Sequence, residues 1–133
     1  MANWYGVSRS NYFKVKDTEE FENFLNQFGG IKFYSEEDET YCILAEEGYW
    51  PYSIYNEETS EYDEYYDFFQ DLSSHLLDDQ VCIILTSGHE RMRYITGNSY
   101  AINSKGQELS ININSIYDMV SKAWNVVPSL AEY

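Results

Sequence analysis

The 133-residue chain is poor in cysteine and histidine, lacks the motifs that commonly hold a cofactor or a metal, and is poor in positive charge. Its two cysteines, Cys42 and Cys82, have no Cys-x-x-Cys spacing and no histidine at ligand spacing, and each sits in an apolar, strand-like run. They read as two buried thiols in a reducing cytoplasm; a disulfide between them requires neighbouring strands. No Gly-rich phosphate loop, Walker motif or zinc spacing occurs, so no cofactor is expected. The acidic run Glu36–Glu39 lacks the glycine and the 12-residue spacing of a calcium loop, so no metal is expected either. The longest apolar run, Val81–Leu85, is far short of the roughly 18 residues of a membrane span. Met1–Gly6 has neither a basic n-region nor an apolar h-region, which reads as no signal peptide and sets the expectation of a cytoplasmic protein. With 8 basic residues against 23 acidic ones, the chain lacks the cations needed to bind nucleic acid directly or to adhere to anionic lipid.

What is present is apolar and aromatic. Hydrophobic residues make up 44% and aromatics 18%, with 14 Tyr and 7 Phe, enough to build one core in a single domain over residues 1–133. The two prolines, Pro51 and Pro128, fall outside the periodic segments, and no linker or repeat appears. Asn11–Lys16 alternates as a strand. Asp17 with Glu20 three residues on is a capping box, and Phe21, Phe24, Leu25 and Phe28 follow at helical spacing until Gly29-Gly30. Ile31–Ser35 and Thr40–Ala45 read as a hairpin with an acidic tip. Residues 46–60 read as a Tyr-rich loop. A second helix is predicted from about Ser60 to Leu77 on the stripe Tyr62, Tyr65, Tyr66, Phe69, Leu72 and Leu76, closed by Asp78-Asp79, two acids that would oppose its dipole. Val81–Thr86 reads as a strand, with His89 and Glu90 near a turn at Ser87-Gly88. Arg91–Thr96 and Ser99–Asn103 read as one long strand interrupted by a bulge at Gly97-Asn98. Gln107–Ile113 returns after a Lys105-Gly106 turn, and Asn114 or Ser115 starts a short helix to about Trp124. The expected class is α+β: a mostly antiparallel sheet of five to six strands, two main helices on one face, and a short C-terminal helix.

The charge is unevenly placed. Between Asp17 and Asp79 there are nineteen acids and one base, Lys32; the remaining seventy residues hold four acids and seven bases. The first stretch therefore carries −18 and the rest +3, which sum to the net −15. Glu57, Glu61, Glu64, Asp67 and Asp71 step by 4, 3, 3 and 4, which on a helix makes one row of like charges with no cation at i+4. A solvated face tuned for solubility has the same composition. Duplex DNA carries one charge per ~1.7 Å, so fifteen charges match about 25 Å of duplex. A domain of this length is roughly 36 Å across, so one face can present acid at about that density. The candidate partner-binding residues are Glu36, Glu37, Asp38 and Glu39 at the hairpin tip, Glu57, Glu58, Glu61, Glu64, Asp67 and Asp71 along the expected helix, and Tyr52 and Tyr55 as rigid anchors among the interleaved aromatics that include Tyr49 and Trp50.

Catalytic residues are not singled out. His75, four residues after Asp71, reads as a surface ion pair, and nothing selects two of the 23 acids as a glycosidase-type pair. Two stretches, Asn3–Lys16 (NWYGVSRSNYFKVK) and Arg93–Gly106 (RYITGNSYAINSKG), resemble segments of small uncharacterised proteins of bacterial plasmids and phages. In size, acidity and aromatic content the whole chain is similar to DNA-mimic anti-restriction and anti-CRISPR inhibitors. That resemblance implies an inhibitor rather than an enzyme, occupying the nucleic-acid groove of a host defence nuclease. Two alternatives stay open: an immunity protein neutralising a basic toxin such as a ribonuclease, and an enzyme with an acidic cleft, which a concave pocket holding two carboxylates of raised pKa would mark. Monomer and homodimer both fit, since Arg9, Arg91 and Arg93 of the basic half can pair with the acidic half of another copy.

Overall fold

The computed structural model describes residues 4–37, 39–63 and 65–132. Among these, the chain runs β1 (Tyr5–Ser10), β2 (Phe13–Lys14), α1 (Thr18–Leu25), β3 (Ile31–Glu36), β4 (Thr40–Ala45), β5 (Ile54–Asn56), β6 (Glu61–Asp63), α2 (Phe68–His75), β7 (Val81–Glu90), β8 (Tyr94–Asn103), β9 (Glu108–Asn112) and α3 (Ser115–Trp124). The class is α+β, as the element pattern predicts. Seven of the described strands form one sheet in the order β2-β4-β1-β7-β8-β9, with β3 also on β4, and every ladder is antiparallel. The remaining two, β5 and β6, pair only with each other as a separate ribbon.

Both main helices begin on an aspartate. Asp17 Oδ1 accepts from the Glu20 amide at 2.9 Å and Asp67 Oδ1 from the Gln70 amide at 3.1 Å, each satisfying an orphan donor of the first turn. Phe21, Phe24 and Leu25 of α1 and Phe68 and Leu72 of α2 pack against one face of the sheet, on Ile43, Cys82, Ile84 and Ile102. The opposite face carries the alternate residues of the same strands, Ile83 and Leu85 among them, and these are exposed. No described residue of α3 is buried.

Several expected boundaries move. The predicted second helix starts eight residues late, because Glu61–Asp63 extends to pair with Ile54–Asn56 around a turn that puts Ser60 at φ 57°. It also ends at His75: Leu76 is extended and bridges Val15, and Asp78-Asp79 lie in the turn before β7, beyond the helix and off its dipole. The Ser87-Gly88 turn and the Gly97-Asn98 bulge do not form. β7 and β8 pair without interruption from Val81↔Asn103 to Glu90↔Tyr94, and the chain reverses at Arg91-Met92, both left-handed at φ 50° and 62°. Those glycines answer to close approach instead. Gly6 and Gly88 are register partners beneath the Trp4 indole, where a Cβ would come within 1.9 and 2.3 Å of ring carbons; at Gly97 it would meet Ile113 at 3.1 Å. A first strand, β1, also precedes the predicted one, which shortens to Phe13–Lys14.

β1 lies between β4 and β7, so Cys42 and Cys82 are not on neighbouring strands, and both are free and buried. Burial pushes the Cys82 thiol up to about 12. A protonated, inaccessible thiol does not react, so Cys82 is expected to resist a thiol reagent in the native protein and to label fully on denaturation. Rapid native labelling at Cys82, followed by mass spectrometry, would refute this.

Candidate functional site

The acids expected to form one helical row do not share a helix. Glu57 and Glu58 occupy the turn of the β5–β6 ribbon, where the Glu58 amide donates to Asn56 Oδ1 at 2.9 Å. Glu61 is on β6 opposite Asn56. Asp67 is the N-cap of α2, and Asp71 in its first turn accepts from the Tyr66 hydroxyl at 2.6 Å. Glu36, Glu37 and Glu39 are at the β3–β4 hairpin, with Glu39 at φ 61°. Asp38 and Glu64 lie outside the described residues. The physical reason for the difference is that Tyr62, Tyr65 and Tyr66 match a 3.6-residue period by chance, while Asn56 and Asp63 bind amides two residues on and so favour turns over helix.

The ribbon carries tyrosine beside acid. Tyr55 and Tyr62 are register partners with ring centroids 5.3 Å apart, edge to face, and both are exposed. Tyr52 is 74% and Tyr65 96% exposed. A cleft of about 500 Å³ separates the ribbon from the end of α1, and Glu46, Glu47, Tyr49, Tyr52 and Tyr62 line it. Beyond Tyr49, whose ring is 5.2 Å from Trp4, lies a second groove of about 810 Å³ that shares Glu46 and Glu47. Glu46, Glu47 and Tyr62 thus join the candidate site; the signal for the turn that places Glu46 and Glu47 is Gly48, left-handed at φ 78°, whose amide donates to the Ala45 carbonyl at 2.9 Å. Trp50 leaves it. Its indole donates to Ser8 Oγ at 2.9 Å and stacks on Phe68, which makes it part of the core.

Between described residues two ion pairs form, Lys32–Glu46 and Lys122–Asp118, and only the first neutralises an acid of the Asp17–Asp79 stretch. Glu46 accordingly holds the Lys32 ammonium above its ordinary range through a hydrogen bond and its charge. Among the described residues no group of three or more His, Cys, Asp or Glu converges as a metal site. His75 does not pair with Asp71; its ring stacks on Phe24 at 4.7 Å. His89 lies on β7 with its ring 6.1 Å from Tyr5.

The Tyr66 phenol is pushed up first by burial and then by its bond to Asp71. A group whose folded pKa is raised adds stability below its ordinary pKa, near 10, and loses it as pH rises further. Tyr66→Phe is therefore expected to cost about 1 kcal/mol at neutral pH. The deficit relative to wild type should shrink above about pH 10, where the wild-type phenol begins to lose that advantage. Urea titrations at neutral and alkaline pH measure both; a deficit that grows with pH would contradict the assignment.

No helix among the described residues is long and apolar enough to cross a membrane. Comparison with family models, curated proteins and solved structures finds no match for this chain.

Proposed function

We propose that the protein is a cytoplasmic interaction protein, not an enzyme, that blocks the nucleic-acid groove of a host defence nuclease by offering carboxylates where phosphates would sit. The observation that carries this reading is the conjunction at the ribbon. Glu57, Glu58, Glu61 and Asp63 of the ribbon form no ion pair with a described residue, and exposed Tyr52, Tyr55, Tyr62 and Tyr65 stand beside them. Carboxylates supply long-range attraction to a basic groove and fast association. Tyrosines supply rigid contact area with little entropy to lose, which charge alone does not.

The reading is tested by capture from host lysate. Raising salt from about 0.1 to 1 M shortens the Debye length from ~10 to ~3 Å, so the partner should be released as salt rises and displaced by added duplex DNA. Recovery of a nucleic-acid enzyme with these properties supports the proposal. Capture indifferent to both salt and DNA overturns it.

A further inference from the structure

α1 and α2 cover only one face of the sheet. On the other, Val7, Ile83, Leu85, Leu109, Ile111 and Ile113 are all exposed, Leu109 to 78% and Ile111 to 71%. The register makes them one surface: Leu85 is opposite Ser99, which is opposite Ile111, and Ile83 is opposite Ala101, which is opposite Leu109. Their exposed area is on the order of 600 Å², at the upper end of the roughly 300–600 Å² of the largest patch on a typical monomer. A stable interface of standard size buries ~800 Å² per partner.

The chain also carries a second unused apolar surface. On α3, Ile116, Met119, Ala123 and Trp124 share one side at helical spacing, opposite the Asp118–Lys122 ion pair. Trp124 is 73% exposed, and Val127 in the following tail 91%. α3 begins three residues after β9 ends, at the border of the bare face, and yet buries no residue there.

We propose that a second copy of this chain covers the face, with α3 of each copy lying on the sheet of the other. A two-fold arrangement needs one patch that is complementary to itself, and an open sheet plus a detached amphipathic helix provides it. The charge distribution selects this side. Its β3–β4 edge carries Leu44 and Tyr34 from the acidic stretch, but Val7, Ile83, Leu85, Leu109, Ile111 and Ile113, with Arg9 between Leu44 and Leu85, come from outside Asp17–Asp79, the part of the chain that carries +3 rather than −18. Two copies that meet here keep their acidic stretches apart, and the ribbon stays open to a different partner.

Light scattering on the full chain at tens of micromolar should give twice 15.7 kDa. Leu85→Lys on the sheet and Met119→Glu on α3 should each give monomer with an unchanged circular dichroism spectrum. Mixed in equal amounts, the two variants should recover a dimer, because one sheet–helix contact remains intact and the other gains opposite charges. Leu109→Lys provides a second sheet variant should Leu85→Lys disturb β7. A monomeric wild type, variants that remain dimeric, or a mixture that does not pair would each overturn the arrangement. Salt separates this proposal from the preceding one: self-association should hold or strengthen as salt screens the like net charges, whereas capture through the acids should weaken.

Discussion

Reversing Glu47, Glu57, Glu58 and Glu61 together to Lys is expected to abolish capture of the basic partner while leaving the fold intact. The four side chains are exposed and make no side-chain hydrogen bond or ion pair with a described residue, so the fold should survive their reversal. Each carboxylate–cation contact at an exposed rim is worth about 0.2–1 kcal/mol. Glu61→Gln alone should therefore weaken binding by no more than about five-fold. The quadruple reversal changes the local charge by eight units and turns attraction into repulsion over the footprint. Asp67 and Asp71 are unsuitable for the same test: Asp67 caps α2 and Asp71 accepts from Tyr66, so their loss costs about 1 kcal/mol of stability each and confuses folding with binding. Capture by the folded quadruple variant, or its loss on one conservative Glu→Gln change, would sink the mimic reading. The second result would indicate a single carboxylate acting in catalysis or metal binding.

The parts of the fold that were legible from sequence are those where local chemistry and tertiary packing agree. Asp17 with Glu20 and the Phe21–Phe24–Leu25 face specify α1, and α1 forms with those residues buried; it ends at Leu25, however, with Phe28 in the turn beyond it, four residues short of the expected Gly29-Gly30 stop. The Ile31–Ala45 hairpin is likewise signalled by two apolar runs and a polar tip, and its register runs from Ile31↔Ala45 to Glu36↔Thr40. The failures occur where a residue's role depends on something distant. Gly88 and Gly97 look like turn and bulge signals, but they are small because Trp4 and Ile113 lie over them. The real reversal at Arg91-Met92 contains no glycine or asparagine to announce it. The candidate site was legible in its residue types and not in its geometry. Glu57, Glu58, Glu61, Tyr52 and Tyr55 are exposed, as a binding surface requires, but a two-stranded ribbon presents them rather than a helix. Asp67 carried a cap signal of the same kind as Asp17, with Gln70 three residues on, and it marks the helix start more reliably than the tyrosine periodicity did.

Phe21→Ala and Leu109→Ala remove similar apolar groups and should have very different effects. Phe21 is fully buried, with ring centroids 5.1 Å from Tyr41, 5.7 Å from Phe13, 5.8 Å from His75 and 6.1 Å from Phe24. It joins α1 to both β2 and β4, and the four rings around it cannot close over the space it would leave without moving a helix. Truncation of a buried Phe typically costs about 3–5 kcal/mol, a large share of the roughly 5–15 kcal/mol that holds a domain folded. Melting should fall by roughly 10–20 °C for a chain of this length. Leu109, on the bare face, meets water in the single chain, so its truncation should change monomer stability by no more than about 0.5 kcal/mol. Thermal unfolding followed by circular dichroism, on samples dilute enough to be monomeric, compares the two directly. A loss below about 1 kcal/mol for Phe21→Ala would mean that α1 does not pack on the sheet as described. A large loss for Leu109→Ala in the dilute monomer would mean that the bare face is already covered by its own chain, and the dimer arrangement would fall with it.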